Sequence, residues 1–321
     1  MNTIFILETI HQSGVDVLRR AGEVETLIGW SRQQILDQLH RADAVVCKSV
    51  TQVDREFIDA AAKLRLVGRA GTGTDNFDKP YLQQKNIPLL TVPRGNSVSA
   101  AEFAVMCILM LAKRAVSAID AVRSGDFRRD LLEGRELQGL QVGLLGYGNV
   151  GRLVAERLRA FGCRLLVHDS SKEKMQEAAL DGATPVASVG ELLAASEVVS
   201  LHATYNDQSK GAINCETLRH SRPGLWLVNI ARGGLMVDDD VISALDTGQL
   251  AGLAIDTLSP EPPFNAQPGT HSYDHPYLHH PRVVVFPHMA ASTDDAQERI
   301  AVTLAQEMCD VMEGWRKEVA K

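Results

Sequence analysis

Gly146-Tyr147-Gly148-Asn149-Val150-Gly151 is the stretch on which the reading of this 321-residue chain turns. The pattern G-x-G-x-x-G is common by itself. Here an apolar run over 141–145 precedes it and a helical pattern over 149–160 follows, so the glycines link a strand to a helix. The next strand-like run, 163–168, leads to Asp169, 18 residues beyond Gly151. Strand, glycine turn, helix and a spaced acid are together the context of a dinucleotide fingerprint. Gly146 allows the tight turn, Gly148 lets the backbone approach a pyrophosphate, and Gly151 brings helix and strand together; the helix N-terminus offers N–H groups and positive potential. Asp169 is expected to accept hydrogen bonds from the adenosine ribose. Its charge would repel a 2′-phosphate, which favours NAD over NADP, although nearby Lys172 weakens that preference.

Outward from this unit the alternation of strands and helices continues in both directions. Toward the N-terminus the pattern predicts strands at 3–7, 44–47, 64–67 and 87–91. Helices are expected at 11–20 and 54–62, and another to about Leu39 behind a capping box at Ser31–Gln34. A strongly apolar helix runs from Ser97 to about Arg114. Beyond the fingerprint come a capping box at Ser188–Glu191, strands at 198–201, 225–230 and 250–256, a loop rich in Pro and His over 260–281, a strand at 283–286 and a helix at 294–311. Such alternation means α/β architecture with two doubly wound parallel sheets. The last helix is expected to return to the first unit. The domains are then 1–97 plus 292–321, and 98–291 inserted between them, with linking helices near 98–118 and 292–312.

Composition narrows the class. Thirty-three Lys and Arg against 40 Asp and Glu leave a formal charge of −7, which argues against nucleic acid or an anionic membrane as main partner. The longest apolar stretch, 103–112, is half of what a membrane span requires, about 20 residues. It reads as a buried linking helix or part of a dimer contact. The N-terminus reads as a first strand and not as a signal peptide. Five scattered cysteines, never spaced C-x-x-C, exclude a disulfide scaffold and suggest a reducing cytoplasm.

Three polar residues fall beyond predicted strand ends, where open α/β sheets place their sites: Arg232 in Asn229-Ile230-Ala231-Arg232-Gly233-Gly234, Glu261 after 250–256, and His288 after 283–286. Singly, each has a structural explanation. Together they match the needs of hydride transfer to a 2-oxo acid. A planar guanidinium holds the carboxylate bidentately. An imidazole titrating near working pH gives the proton. A carboxylate beside it stabilises the imidazolium.

With these motifs in place, the chain resembles the D-isomer-specific 2-hydroxyacid dehydrogenases, and among them most the phosphoglycerate dehydrogenase branch. The resemblance runs nearly end to end, through Gly68–Asn76, Gly95–Glu102, the Gly146 loop, Asn229–Gly234, Asp256–Pro263 and His288–Thr293. It implies a Rossmann NAD-binding domain inserted into a flavodoxin-like substrate domain. It also implies Arg232 as carboxylate binder, Glu261 as partner of His288, and His288 as acid/base. Asp256 would hold the nicotinamide end, and Asn149, Val150, Ile230, Ala231 and Ala291 would line the cofactor site. Gly71-Thr72-Gly73 would meet the substrate carboxylate and nicotinamide across a cleft. Relatives are usually homodimers or homotetramers.

The chain also departs from that pattern. An Arg-Ser-x-Thr stretch that helps bind substrate reads Lys48-Ser49-Val50-Thr51, keeping the charge but losing the fork. The H-x-P loop near the adenine reads His202-Ala203-Thr204. The segment from Pro263 to His288 is long, and the chain ends at Lys321, so a C-terminal regulatory domain and serine feedback through it are not expected. The expected substrate is a small anionic D-2-hydroxy or 2-oxo acid, phosphoglycerate first and hydroxypyruvate or glyoxylate next. A different class, the NAD(H)-sensing C-terminal binding protein corepressors, ranks far lower because Arg232, Glu261 and His288 are all present. His271, His275, His279 and His280 suggest a metal only if helical, and prolines interrupt them, so no metal is expected. Asp238-Asp239-Asp240 reads as the acidic start of a helix.

Overall fold

Short apolar runs buried on both faces build two separate parallel sheets in this computed structural model, which describes residues 2–263, 269–270 and 272–319. Met1–Ser97 with Ser292–Lys321 make one unit, and Val98–Ala291 the other.

The first unit contains β1 (Asn2–Ile6), α1 (Gln12–Leu18), β2 (Gly22–Thr26), α2 (Arg32–Gln38), β3 (Ala44–Cys47), α3 (Arg55–Ala60), β4 (Leu66–Arg69), α4 (Lys79–Gln84) and β5 (Leu89–Thr91). Its strand order, β2-β1-β3-β4-β5, is that of a flavodoxin-like sheet. The Ser31 capping box forms: Ser31 Oγ accepts from Gln34 N, and Gln34 Oε1 accepts from Ser31 N. Two elements lie outside the pattern reading. β2 is an edge strand with alternating acids, Glu23 and Glu25, and pairs only with β1. α4 is short, capped by Asp78, with a proline in its first turn. The expected strand at 64–67 lies two residues later, because Leu64 serves as an apolar lead-in to β4.

The second unit opens with α5 (Ser97–Ala112), which stops where Arg114 takes a left-handed conformation at φ 51°, and α6 (Ala115–Arg123) starts afresh. Then follow β6 (Gln141–Leu145), α7 (Asn149–Ala160), β7 (Arg164–His168), α8 (Lys172–Leu180), β8 (Thr184–Pro185), α9 (Val189–Ala195), β9 (Val198–Leu201), α10 (Cys215–Leu218), β10 (Leu225–Asn229), α11 (Asp238–Asp246), β11 (Leu250–Ile255) and β12 (Val283–Val285). The order β8-β7-β6-β9-β10-β11-β12 is a Rossmann sheet with one added strand, and it reverses between β6 and β9. At Ser188 only half of the expected box forms. Ser188 Oγ accepts from Glu191 N, but Glu191 reaches back to Ala187 N.

The closing helix, α12 (Asp294–Val319), belongs to the first unit, where its Ile300, Leu304, Ala305 and Met308 pack with Ile4, Ile6, Ala44 and Leu66. It outruns the expected end at Val311 by eight residues. Among the described residues, no helix is long and apolar enough to cross a membrane.

Candidate functional site

The glycine loop sits at the C-terminal end of β6, where the strand order reverses. Gly146 has φ +100°, and a Cβ there would lie 2.6 Å from Ala203 N and 2.7 Å from His202 C, so the chain after β9 presses directly on the turn. A Cβ on Gly151 would lie 2.2 Å from Gly146 O. Gly148 is the opposite case: as N-cap of α7, its would-be Cβ meets no heavy atom within 4 Å among the described residues beyond its own chain neighbours, leaving open space at a helix N-terminus. That arrangement fits a pyrophosphate. Asn149 and Val150 form the first turn of α7. Buried Tyr147 pins the loop from below, its hydroxyl donating to Asp181 (2.9 Å) and accepting from Arg159 (3.2 Å).

Asp169 is bound to this loop. Its Oδ2 accepts from Tyr147 N (2.7 Å) and its Oδ1 from Ser171 N (2.8 Å). Each carboxylate oxygen keeps a second lone pair, the acceptor a ribose hydroxyl needs. Beside the loop, both ring nitrogens of His202 are inaccessible and lack hydrogen-bond partners among the described residues. Burial pushes its pKa down to about 3, so the imidazole is neutral near pH 7.

Arg232, Glu261 and His288 follow three adjacent strands, β10, β11 and β12. Buried Asn229, the last residue of β10, shapes the first loop by accepting from Ala231 N (3.0 Å) and donating to Arg232 O (2.9 Å). Arg232 Nη1 donates to Ala231 O. Ile230 enters the apolar core beneath, and Ala231 is half-buried. At Gly233 a Cβ would stand 2.6 Å from Leu258 C and 2.7 Å from Ser259 N, so the Arg232 and Glu261 loops touch backbone to backbone.

His288 Nδ1 lies 2.8 Å from Glu261 Oε1, with the two side chains 33% and 39% exposed. His288 takes a left-handed backbone at φ 56°, a conformation uncommon for non-glycine residues. Asp256, at the end of β11, holds the two residues that follow: its two oxygens accept from Met289 N (2.8 Å) and Ala290 N (2.7 Å). Burial raises the Asp256 carboxyl pKa, and these two N–H bonds oppose that rise. Asp256 therefore supports the loop between His288 and Ala291.

In the first unit, Gly71-Thr72-Gly73 wraps around Arg69, which donates to Ala70 O (2.8 Å) and Gly73 O (2.6 Å). Thr72 Oγ1 bonds Asn96 Oδ1 (3.2 Å). Lys48 Nζ donates to Gln297 Oε1 (2.7 Å), and burial lowers its pKa. The Lys48–Thr51 loop is clamped from two sides. Glu8 accepts from the backbone N–H groups of Lys48, Val50 and Thr51, while Asn76 donates to Lys48 O and Thr51 O. Pattern reading gave neither Glu8 nor Asn76 a role, because their partners are main-chain atoms 25 to 43 residues away. An acid directly after a first strand was the available signal for Glu8.

The histidine-rich stretch disperses. His275 meets Asp238, His279 meets Asp274 and His280 meets Asp246, each a separate pair, and His271 lies outside the described residues. Asp238, Asp239 and Asp240 form the first turn of α11.

A Rossmann sheet with a glycine fingerprint at its switch point, and a His–Glu pair at neighbouring strand ends, has the layout of a dinucleotide-binding domain. A family model described as D-isomer specific 2-hydroxyacid dehydrogenase, NAD binding domain, matches residues 105–290. The D-3-phosphoglycerate dehydrogenase of Archaeoglobus fulgidus is 32% identical over 314 residues, 97% of this chain and 57% of the relative. That of Synechocystis is 30% identical over 316 residues, 98% of this chain and 55% of the relative. The chain thus spans little more than half the length of these relatives. The solved D-lactate dehydrogenase from Aquifex aeolicus, complexed with NAD and lactic acid, superposes with a TM-score of 0.84 at 26% identity, covering 99% of this chain and 96% of that one. The chain belongs to the D-isomer specific 2-hydroxyacid dehydrogenase family and carries its NAD-binding domain.

Proposed function

We propose that this protein is an NAD-dependent oxidoreductase that interconverts a small D-2-hydroxy acid and its 2-oxo acid at C2, with a phosphoglycerate-type substrate first and hydroxypyruvate or glyoxylate as the alternative. The observation that carries this reading is the 2.8 Å His288–Glu261 pair on the same sheet as the open Gly148 turn. Bound NAD supplies or receives the hydride. Arg232 holds the substrate carboxylate with its planar fork. His288 Nδ1 is committed to Glu261, which assigns proton delivery to Nε2, and Glu261 stabilises the imidazolium. Asp256 keeps the His288 backbone in place. Lys48 and the Gly71-Thr72-Gly73 loop supply further substrate contacts. The similarity to two D-3-phosphoglycerate dehydrogenases supports the choice of first substrate. The test is a kinetic panel of 3-phosphohydroxypyruvate, hydroxypyruvate, glyoxylate and bulkier 2-oxo acids with NADH. Absence of turnover with every acid would reject the reading.

Asp169 sets the cofactor preference in this scheme. Asp169→Ala should narrow the ratio of kcat/KM for NADH over NADPH by about tenfold, equivalent to ~1.4 kcal/mol. An unchanged ratio would show that Asp169 serves only Tyr147 and Ser171.

The same reading includes a homodimer formed through α5 and α6. No residue of α6 is buried, and Ile119, Val122, Phe127 and Leu131 are all about half exposed or more. On the same unit, Val105, Met106, Leu109, Met110 and Phe161 line an apolar groove of about 430 Å³. A second copy supplies both a filler for the groove and a cover for α6. Val122→Asp should convert the dimer to monomer in light scattering without loss of helicity, and a wild-type monomer would refute this interface. Five unpaired cysteines suit a reducing cytoplasm as its location.

A further inference from the structure

We infer that Tyr273 is a positioning residue for the acid–base pair: its hydroxyl fixes the Glu261 loop to a strap that is itself anchored on α11. The inference rests on the functional reading above only in calling the pair catalytic. After β11 the chain passes through Ser259, Pro260 and Glu261, all exposed and outside any regular element. Gly233 bounds one part of this loop. On the other side, Tyr273 Oη donates to Pro260 O at 2.7 Å, one peptide from Glu261.

Tyr273 is in turn held. Its ring lies nearly parallel to that of His275, with centroids 6.4 Å apart and 19° between planes. His275 is 4% exposed, and its Nδ1 accepts from Tyr277 N at 3.3 Å, which places its proton on Nε2, facing Asp238 Oδ2 at 3.3 Å. Asp238 begins α11, and the neighbouring Tyr277 is fully buried. The series of contacts from Asp238 on α11 through His275 and Tyr273 thus ends on the Pro260 carbonyl, one residue before the Glu261 whose carboxylate meets His288. Burial, with the negative charges of Asp238 and Glu261, raises the Tyr273 phenol pKa, so it stays a protonated donor. Glu261 lies 2.8 Å from His288, and the charges of His288 and Glu261 both reach the Asp256 carboxyl. This gives a role to the described end of the long histidine-rich segment.

Tyr273→Phe removes one hydroxyl and leaves the ring stack. With Glu261 less firmly placed, the His288 Nδ1–H proton that it accepts, followed by NMR in the full chain, should exchange with water about 3–10-fold faster. In 2-oxo acid reduction kcat should fall about 3–10-fold while KM stays within about twofold. Asp238→Asn, which weakens the anchor but keeps Tyr273, should raise the same exchange rate. An exchange rate within about 1.5-fold of wild type in Tyr273→Phe, with only the melting temperature lowered, would overturn the inference. The NMR measurement decides this even if the wild-type protein turns over none of the acids, an outcome that would reject the functional reading alone.

Discussion

His288→Ala is expected to lower kcat for 2-oxo acid reduction by about 10²–10⁴-fold while NADH affinity stays within about threefold of wild type. The asymmetry follows from position. The open turn at Gly148 and the acid at Asp169 belong to the β6–β7 region of the sheet, whereas His288 follows β12 at its far edge. Removing the imidazole takes away the proton donor and leaves the fingerprint loop intact. Glu261→Gln should cost less, because the donor survives and only the charge stabilising the imidazolium is lost; the alkaline limb of kcat should then shift to lower pH. NADH fluorescence titration separates binding from turnover. If His288→Ala retained more than a tenth of wild-type kcat at its pH optimum, the proton would have to come from another group.

The second large effect concerns stability in acid. The His202 pKa is about 3 in the folded protein, because both ring nitrogens are sealed from water, whereas an unfolded histidine titrates near 6.5. Above pH 6.5 both states are neutral at this residue and it contributes its full share. As pH falls from 6.5 toward 3, the unfolded chain takes up a proton that the folded chain refuses, and folding stability drops. The slope is about 1.4 kcal/mol per pH unit for one proton, and the loss reaches roughly 4–5 kcal/mol at the lower end. His202→Leu should remove that contribution. In urea titrations of the dinucleotide-free protein, the wild-type stability should fall behind the variant's by about that slope between pH 6 and pH 4. Parallel stability curves would mean that the imidazole reaches water or a partner in the folded state.

The fold and the site differ in how much local sequence reveals. The strands flanking the fingerprint were legible because they are apolar, buried on both faces and bounded by glycine. β2 escaped because an edge strand with Glu23 and Glu25 on it carries no apolar run, and pairing with β1 is what sets its place. The stop at Ala112 was read only to within two residues, because Lys113 and Arg114 are good helix formers and the left-handed turn at Arg114 leaves no mark in residue type. α8 was missed although Ser171 caps it, since its lysines and glutamates resemble a solvated loop. Arg232, Glu261 and His288 were legible from their place after strands. Asp169 and Asp256 were visible as acids, but their bonds to Tyr147 N, Met289 N and Ala290 N were not, because backbone partners leave no mark in residue type. Tyr273, Glu8 and Asn76 share that property.

The membership of α12 in the first unit has a consequence for synthesis. The chain emerges with Ile4, Ile6, Ala44 and Leu66 already made, but the helix that covers them follows only after the whole Val98–Ala291 unit. At ~5–20 residues per second the interval is roughly 10–40 s. During that time one face of a β-sheet is only partly covered, by α1, while a later-made unit can finish folding. The nascent protein therefore passes through a stage in which its first-made part is its last to be completed, and that apolar face is where a chaperone, or another unfinished chain, would bind.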